Sequence, residues 1–193
     1  MMLNKETETR LSKFMTKLLR HTPGAYGLVL DPTDGSYRLD KLHSVIRSQP
    51  NWSRVTIEDI EQVVKSCEKQ RFEIKDGRIR ARYGHSHDKV QYEPGTPPDS
   101  LYHGTNTHAA PTIMSEGIRP MGRQYVHLSE GTHFATLAGK RRGELVILSV
   151  DTRKAAAAGT RFYYAGNEVW LADSVPPSCC AIFTNTKEEE GNE

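Results

Sequence analysis

Apolar residues recur three and four positions apart from Leu11 through Phe14, Met15, Leu18 and Leu19. That spacing is one buried face of a helix and predicts an amphipathic first helix over residues 6–20. Pro23 and Gly24 stop it, so Arg20 and His21 stand at its C-terminal end, where cations favour the helix dipole and a cap is the simplest role. Leu28–Leu30 and Ser36–Leu39 are predicted as short strand pieces, parted by the turn string Asp31-Pro32-Thr33-Asp34-Gly35. Leu42, Val45 and Ile46 mark a second helix from near Asp40. Thr56 to Asp59 reads as a capping box opening a third, with Ile57, Ile60, Val63, Val64 and Cys67 on its apolar face. The period then switches to strict alternation in Arg71–Ile74 and Arg78–Arg82, on either side of Asp76-Gly77, which predicts a β-hairpin. Three short helices closed by a hairpin form a winged-helix pattern. Ile74, Ile79 and Ala81 serve one face, leaving Arg78, Arg80 and Arg82 together on the other. Three guanidiniums on one strand face call for an anion, and a phosphate clamp is the functional reading.

Residues 93–100, Glu-Pro-Gly-Thr-Pro-Pro-Asp-Ser, have linker composition and set the expected domain boundary. A strand runs into His103, and a helix follows over Ala110–Glu116 with Gly117 as its C-cap. Met121–Ser129 reads as a loop entering a strand in which Tyr125, His127 and Ser129 share a face. A helix over Thr132–Ala138, a basic turn Gly139–Gly143, an apolar strand Glu144–Val150 and a short Ala-rich helix come next. Phe162–Tyr164, Glu168–Leu171 and Cys180–Phe183 supply further strands, and the tail from Lys187 is acidic and expected to be disordered. Many short strands and few helices favour an α+β fold with a mostly antiparallel split sheet over a doubly wound one. There is no G-x-G-x-x-G or P-loop string.

Composition changes this picture only locally. The 193 residues suffice for one large domain or two small ones, and 26 basic residues nearly balance 24 acidic ones. Residues 1–92 hold 17 Lys and Arg against 12 Asp and Glu, a net of +5, and residues 93–193 hold 9 against 12, a net of −3. A basic first half suits a polyanionic partner. Cys67, Cys179 and Cys180 form neither a disulfide framework nor a C-x-x-C pair. No apolar run approaches the roughly 18 residues of a membrane span, and no signal peptide precedes the first helix. A soluble, cytoplasmic protein is expected. His85 and His87 have no second ligand pair at metal spacing, so no metal is expected.

The chemistry concentrates at Leu101-Tyr102-His103-Gly104-Thr105. Gly104 can let a ligand approach the main chain, while His103 and Thr105 can hydrogen-bond ribose hydroxyls or an amide. The segments LSKFMTKLLRH, KQRFEI, IRARYGHS, LYHGT, MGRQYVHLS, GKRRG and NEVWL, taken in that order, resemble the NAD-dependent RNA 2′-phosphotransferases. They run from about residue 11 to about residue 183. The resemblance implies a winged-helix-like RNA lobe (residues 1–92), a linker (93–100) and an ADP-ribosyltransferase-like NAD lobe with a split antiparallel sheet (101–186), before the tail 187–193. It implies a two-step reaction without metal. A splice-junction 2′-phosphate of RNA, tRNA above all, attacks the nicotinamide ribose of NAD and expels nicotinamide. The 2″-hydroxyl of the resulting 2′-phospho-ADP-ribosylated RNA then takes the phosphate, giving 2′-hydroxyl RNA and ADP-ribose 1″,2″-cyclic phosphate.

By the same resemblance Arg20, His21, Arg80 and Arg123 are the catalytic set, drawn from both lobes around one phosphate. His21 is placed to give a proton to the departing hydroxyl. His103, Gly104, Thr105, His127, Ser129, Arg141 and Val169 fall to NAD, Arg141 toward its pyrophosphate or adenosine. Arg78, Arg82, His85 and Ser86 fall to the RNA. A monomer is expected. Two positions depart from the pattern: Glu168 stands where Gly is expected before Val169, and Gly131 where an acidic residue is common. Two alternatives stay open, an ADP-ribosyltransferase that caps nucleic-acid phosphates and a winged-helix protein that binds nucleic acid without catalysis.

Overall fold

The computed structural model describes residues 3–87 and 89–184. The acidic tail from Lys187 lies outside the described residues. The fold is α+β, with two antiparallel sheets. Two compact units divide the described chain. One is formed by the residues up to Tyr92 together with Gly122–Gln124, the other by Glu93–Met121 and the residues from Tyr125 on.

In the first unit, helix α1 (Lys5–Thr16) is capped by Asn4, whose Oδ1 accepts from the Thr7 amide at 2.8 Å. Leu11 and Met15 are buried, and Leu18 and Leu19 continue the apolar face beyond the helix. The α-helical winding stops four residues before Arg20. Lys17–His21 winds wider, as a π turn closed by the Thr22 N–H donating to the Lys17 carbonyl at 2.9 Å. Pro23 then opens a single tight turn, Pro23–Tyr26. The strand expected at Leu28–Leu30 does not form. Leu28 tucks into the core as part of a loop while Val29 faces solvent, and strand β1 is Tyr37–Arg38 alone. Helix α2 (Leu39–Arg47) and helix α3 (Ile57–Ser66) follow. The capping box of α3 has both bonds, Thr56 N to Asp59 Oδ2 at 2.9 Å and Asp59 N to Thr56 Oγ1 at 3.2 Å.

Strands β2 (Phe72–Lys75) and β3 (Arg78–Ala81) form the expected hairpin, Lys75 opposite Arg78. Asp76 (φ 51°) and Gly77 (φ 71°) are both left-handed, as the tightest hairpin turn requires. Strand order is β1-β3-β2. Phe72, Ile79 and Ala81 close the core against Leu42, Ile46 and Ile60.

The second unit runs β4 (Pro94–Gly95), β5 (Ser100–Asn106), α4 (Ala110–Glu116), β6 (Val126–Ser129), α5 (Thr132–Gly139), β7 (Leu145–Asp151), α6 (Thr152–Ala157), β8 (Phe162–Gly166), β9 (Val169–Ala172) and β10 (Cys180–Ile182). Its seven-stranded sheet is ordered β10-β7-β5-β6-β9-β8-β4. The Pro-rich stretch of residues 93–100 is partly sheet: Pro94 and Gly95 pair with Tyr163 and Phe162, on the edge where proline is tolerated. β5 pairs with β7 along all seven of its residues but shares one ladder pair with β6, Tyr102 with Ser129. The sheet therefore opens between β5 and β6 after Tyr102. The turn between β8 and β9 corrects one expectation. Glu168 is not a strand residue; with Asn167 it forms a left-handed pair (φ 62° and 49°) that reverses the chain.

Candidate active site

The π turn sets Arg20 and His21 beside the end of the β2–β3 hairpin. The Arg20 side chain is 6% exposed, and its guanidinium lies 5.0 Å from the Tyr83 ring centroid. Its Nε and Nη2 have no hydrogen-bond partner. Burial, with Arg71 and Arg123 nearby, pulls its pKa down to about 10. An unpaired buried cation costs several kcal/mol unless an anion joins it. Gly84 makes the position possible: at φ 91°, its missing Cβ would sit 3.1 Å from the Arg20 Cζ. The Ser86 amide donates to the Arg20 carbonyl at 2.9 Å, and the Ser86 Oγ lies 2.8 Å from His21 Nδ1. Partial burial and then the charges of Arg20 and Arg123 hold the His21 pKa below its ordinary value. Arg123 is exposed on the segment that belongs to this unit. Its neighbour Gln124 is fixed by its amide to the His85 carbonyl at 3.3 Å and by its Nε2 to the His87 carbonyl at 3.2 Å.

The arginine face of β3 is organised differently from the expected row of unaccompanied cations. Glu73, opposite Arg80 in the ladder, accepts from Arg80 Nε at 2.7 Å and lies 3.3 Å from Arg82 Nη1. Arg78 turns away onto the Ser36 Oγ at 2.8 Å and toward Asp31 at 3.8 Å. The protein thus supplies part of the anion that this face requires. His85, expected at the RNA, is 3% exposed, and burial holds its pKa down to about 3. A Cβ on Gly35 would come 2.9 Å from its Nε2, so the ring fills the space of that absent side chain. Ser86 remains exposed beside His21. Glu73, Tyr83 and Gly84 were not picked out from sequence. The two-residue turn at Asp76-Gly77 already sets Glu73 opposite Arg80 and could have found the first.

In the second unit, His103 Nδ1 donates to the His127 carbonyl at 3.0 Å, which makes Nε2 an acceptor in the neutral ring. Thr105 is buried on the same strand, and His127 is half-buried on β6. Gly104 also has a packing role. A Cβ there would run into the Ala135 carbonyl, and one on Gly139 would come 2.8 Å from the Thr105 carbonyl, so these two glycines seat α5 directly on β5. Ser129 Oγ donates to the Gly131 carbonyl at 2.7 Å and pairs in the ladder with buried Val169. Arg141 is exposed in the turn Lys140–Arg142 after α5. Glu130, next to Gly131, takes the Trp170 Nε1–H at 2.9 Å. Among the described residues no three His, Cys, Asp or Glu side chains gather as a metal site would require, and no helix is long and apolar enough to cross a membrane.

The family model for "RNA 2′-phosphotransferase, Tpt1 / KptA family" matches residues 6–174. A Bacillus thuringiensis protein named "Probable RNA 2′-phosphotransferase" is 42% identical over 179 residues, covering 92% of this chain and 96% of its own. A protein of the same name from Acetivibrio thermocellus is 39% identical over 170 residues, 87% of this chain and 93% of its own. Another from Thermococcus kodakarensis is 38% identical over 180 residues, 92% of this chain and 98% of its own. On matches of this length and identity, the chain belongs to the RNA 2′-phosphotransferase family, a family of transferases.

Proposed function

We propose that this protein removes an internal 2′-phosphate from RNA, a splice-junction phosphate of tRNA in the first instance, with NAD as phosphate acceptor. The observation that carries the reading is Arg20, a buried guanidinium with two unpartnered nitrogens among further cations. A phosphate dianion is the ligand that such a group suits. NAD, when bound, would supply an anomeric carbon that bonds to the RNA phosphate as nicotinamide leaves, and a 2″-hydroxyl that would then take the phosphoryl group. The final products are 2′-hydroxyl RNA and ADP-ribose 1″,2″-cyclic phosphate.

Arg20, Arg80 and Arg123 hold the phosphoryl oxygens and neutralise charge as it builds. Burial, and then its cationic neighbours, hold the His21 pKa below its ordinary value. A bound dianion reverses that field, raises the His21 pKa and equips the ring to give a proton to the departing RNA hydroxyl. The first unit is the winged-helix-like RNA lobe and the second the ADP-ribosyltransferase-like NAD lobe. Beyond Tyr102, the edge of β5 away from β7 has no β6 ladder partner, which suits an amide such as that of nicotinamide. His103, Thr105, His127 and Ser129 supply further polar groups there, and Arg141 the charge for the pyrophosphate. Val169 is an apolar wall in place of a catalytic carboxylate, as befits a phosphate that needs no base to attack. Glu168, in the turn, is exposed.

The test is single turnover of an RNA bearing one radiolabelled internal 2′-phosphate, with and without NAD. Label reaching ADP-ribose cyclic phosphate only with NAD is the expected result. Accumulation of an RNA adduct with no cyclic product would indicate a capping enzyme instead. Binding with no transfer would end the catalytic reading.

A further inference from the structure

The arginines of β1 and of the hairpin face protein carboxylates, whereas three cations along α1 and the π turn after it do not. Arg38, Arg78, Arg80 and Arg82 each face a carboxylate. Arg10, Lys13 and Lys17 are exposed and pair with no carboxylate among the described residues. They are separated by three and four positions on one face of α1 and the π turn that continues it, and His21 falls four positions further on the same stripe. The stripe opposes the buried face of Leu11, Met15 and Leu18.

Two of these cations are held by aromatic rings. Arg10 Cζ lies 5.6 Å from the Trp52 ring centroid, and Lys17 Nζ lies 5.3 Å from that of Tyr26. Phe14, from the same stripe, ties the two rings together: it stacks on Trp52 at 6.2 Å and 9° and meets Tyr26 edge-on at 5.5 Å. A cation resting on a ring keeps its charge and donors while losing little further freedom on binding. The result is a row of positive charges, two of them fixed on rings, that ends at His21.

We propose that this stripe is the track for the RNA strand flanking the 2′-phosphate, with Arg10, Lys13 and Lys17 on successive backbone phosphates. The proposal rests on the reading of the first unit as the RNA-binding one. The contacts are to phosphates, so the track reads no bases and binds any single strand long enough to reach it. It places the length requirement for substrate on α1, and the wing arginines, already neutralised in part, contribute less.

The test uses the full chain and the triple variant Arg10→Met, Lys13→Met, Lys17→Met, which removes charge and keeps the aliphatic packing on the rings. Fluorescence anisotropy measures binding of a single-stranded oligoribonucleotide with an internal 2′-phosphate across a salt series, and turnover is compared on that oligomer and on a 2′-phosphorylated dinucleotide. Lys41→Met, on α2, is the control for charge alone. The variant is expected to bind the oligomer at least roughly tenfold more weakly, with the salt slope reduced by about 0.7 for each lost phosphate contact. The loss in kcat/KM is expected to be much larger on the oligomer than on the dinucleotide. Unchanged oligomer affinity and slope would overturn the track, as would an equal loss from Lys41→Met or an equal loss on the dinucleotide. If the wild-type chain transfers no phosphate from either substrate, the enzymatic reading fails, and the binding series still decides the track.

Discussion

A guanidinium taken out of water without a partner costs several kcal/mol, so Arg20→Met should make the free protein more stable. We expect its urea midpoint to rise, by about 1–3 kcal/mol in unfolding free energy, while phosphate transfer disappears. Inorganic phosphate should raise the melting temperature of the wild type, by about 2.7 kcal/mol in stability at a hundredfold excess over Kd, and leave the variant unmoved. A loss of stability in Arg20→Met of the size usual for core truncation would show that the guanidinium is already satisfied. His85 sets a second dependence. Its pKa falls from 6.5 to about 3 on folding, so as pH drops below about 6.5 the unfolded chain takes up the proton and the folded one does not. Stability is therefore full above that value and is lost toward pH 3, at up to about 1.4 kcal/mol per pH unit. Urea titrations at neutral and mildly acidic pH should show that slope in the wild type and a shallower one in His85→Asn. The roles of these residues were only partly legible from sequence. Arg20 and His21 resembled a helix cap because the chain order does not show that Gly84 leaves room for a guanidinium.

At the level of the element, local chemistry was readable and long-range chemistry was not. The Thr56–Asp59 box and the Asp76-Gly77 turn form as read because each is complete within a few residues. Leu28–Leu30 had the composition of a strand but no neighbour to pair with, and composition cannot supply one. Leu18 and Leu19 fit an α-helix and a π turn equally well, so the wider winding at Lys17–His21 left no mark in the apolar pattern. Gly104 and Gly139, far apart in sequence, show their purpose only where α5 lies on β5. The β8–β9 turn resisted reading because it breaks a rule: Glu168 holds a left-handed conformation that an L-residue enters at a cost of about 1 kcal/mol. Glu168→Gly should therefore stabilise the protein by roughly 0.5–1 kcal/mol, seen as a melting temperature raised by about 1–4 °C. Unchanged melting would mean that the bond from the Glu130 amide to the Glu168 carbonyl, or the turn itself, had shifted with the substitution.

For the molecule as a whole, the charge imbalance of +5 in residues 1–92 against −3 in residues 93–193 assigns different physics to the two ligands of the proposed reaction. Binding of single-stranded RNA should weaken linearly with the logarithm of salt concentration, by about 0.7 per phosphate engaged. Binding of NAD, a small ligand with one pyrophosphate, should change little over the same range. Calorimetric titration of each ligand across a salt series separates the two, and equal slopes would contradict this division. The π turn has a consequence for heredity as well. It holds one residue more than an α turn would, and α-helical winding advances each residue by about 100°. Deleting a single codon between Lys17 and His21 would take out that extra residue, and α winding would then return the arginine and histidine to about the same face; adding a codon would carry them off it by about 100°. Here the gene can drop a residue from this turn more safely than it can add one.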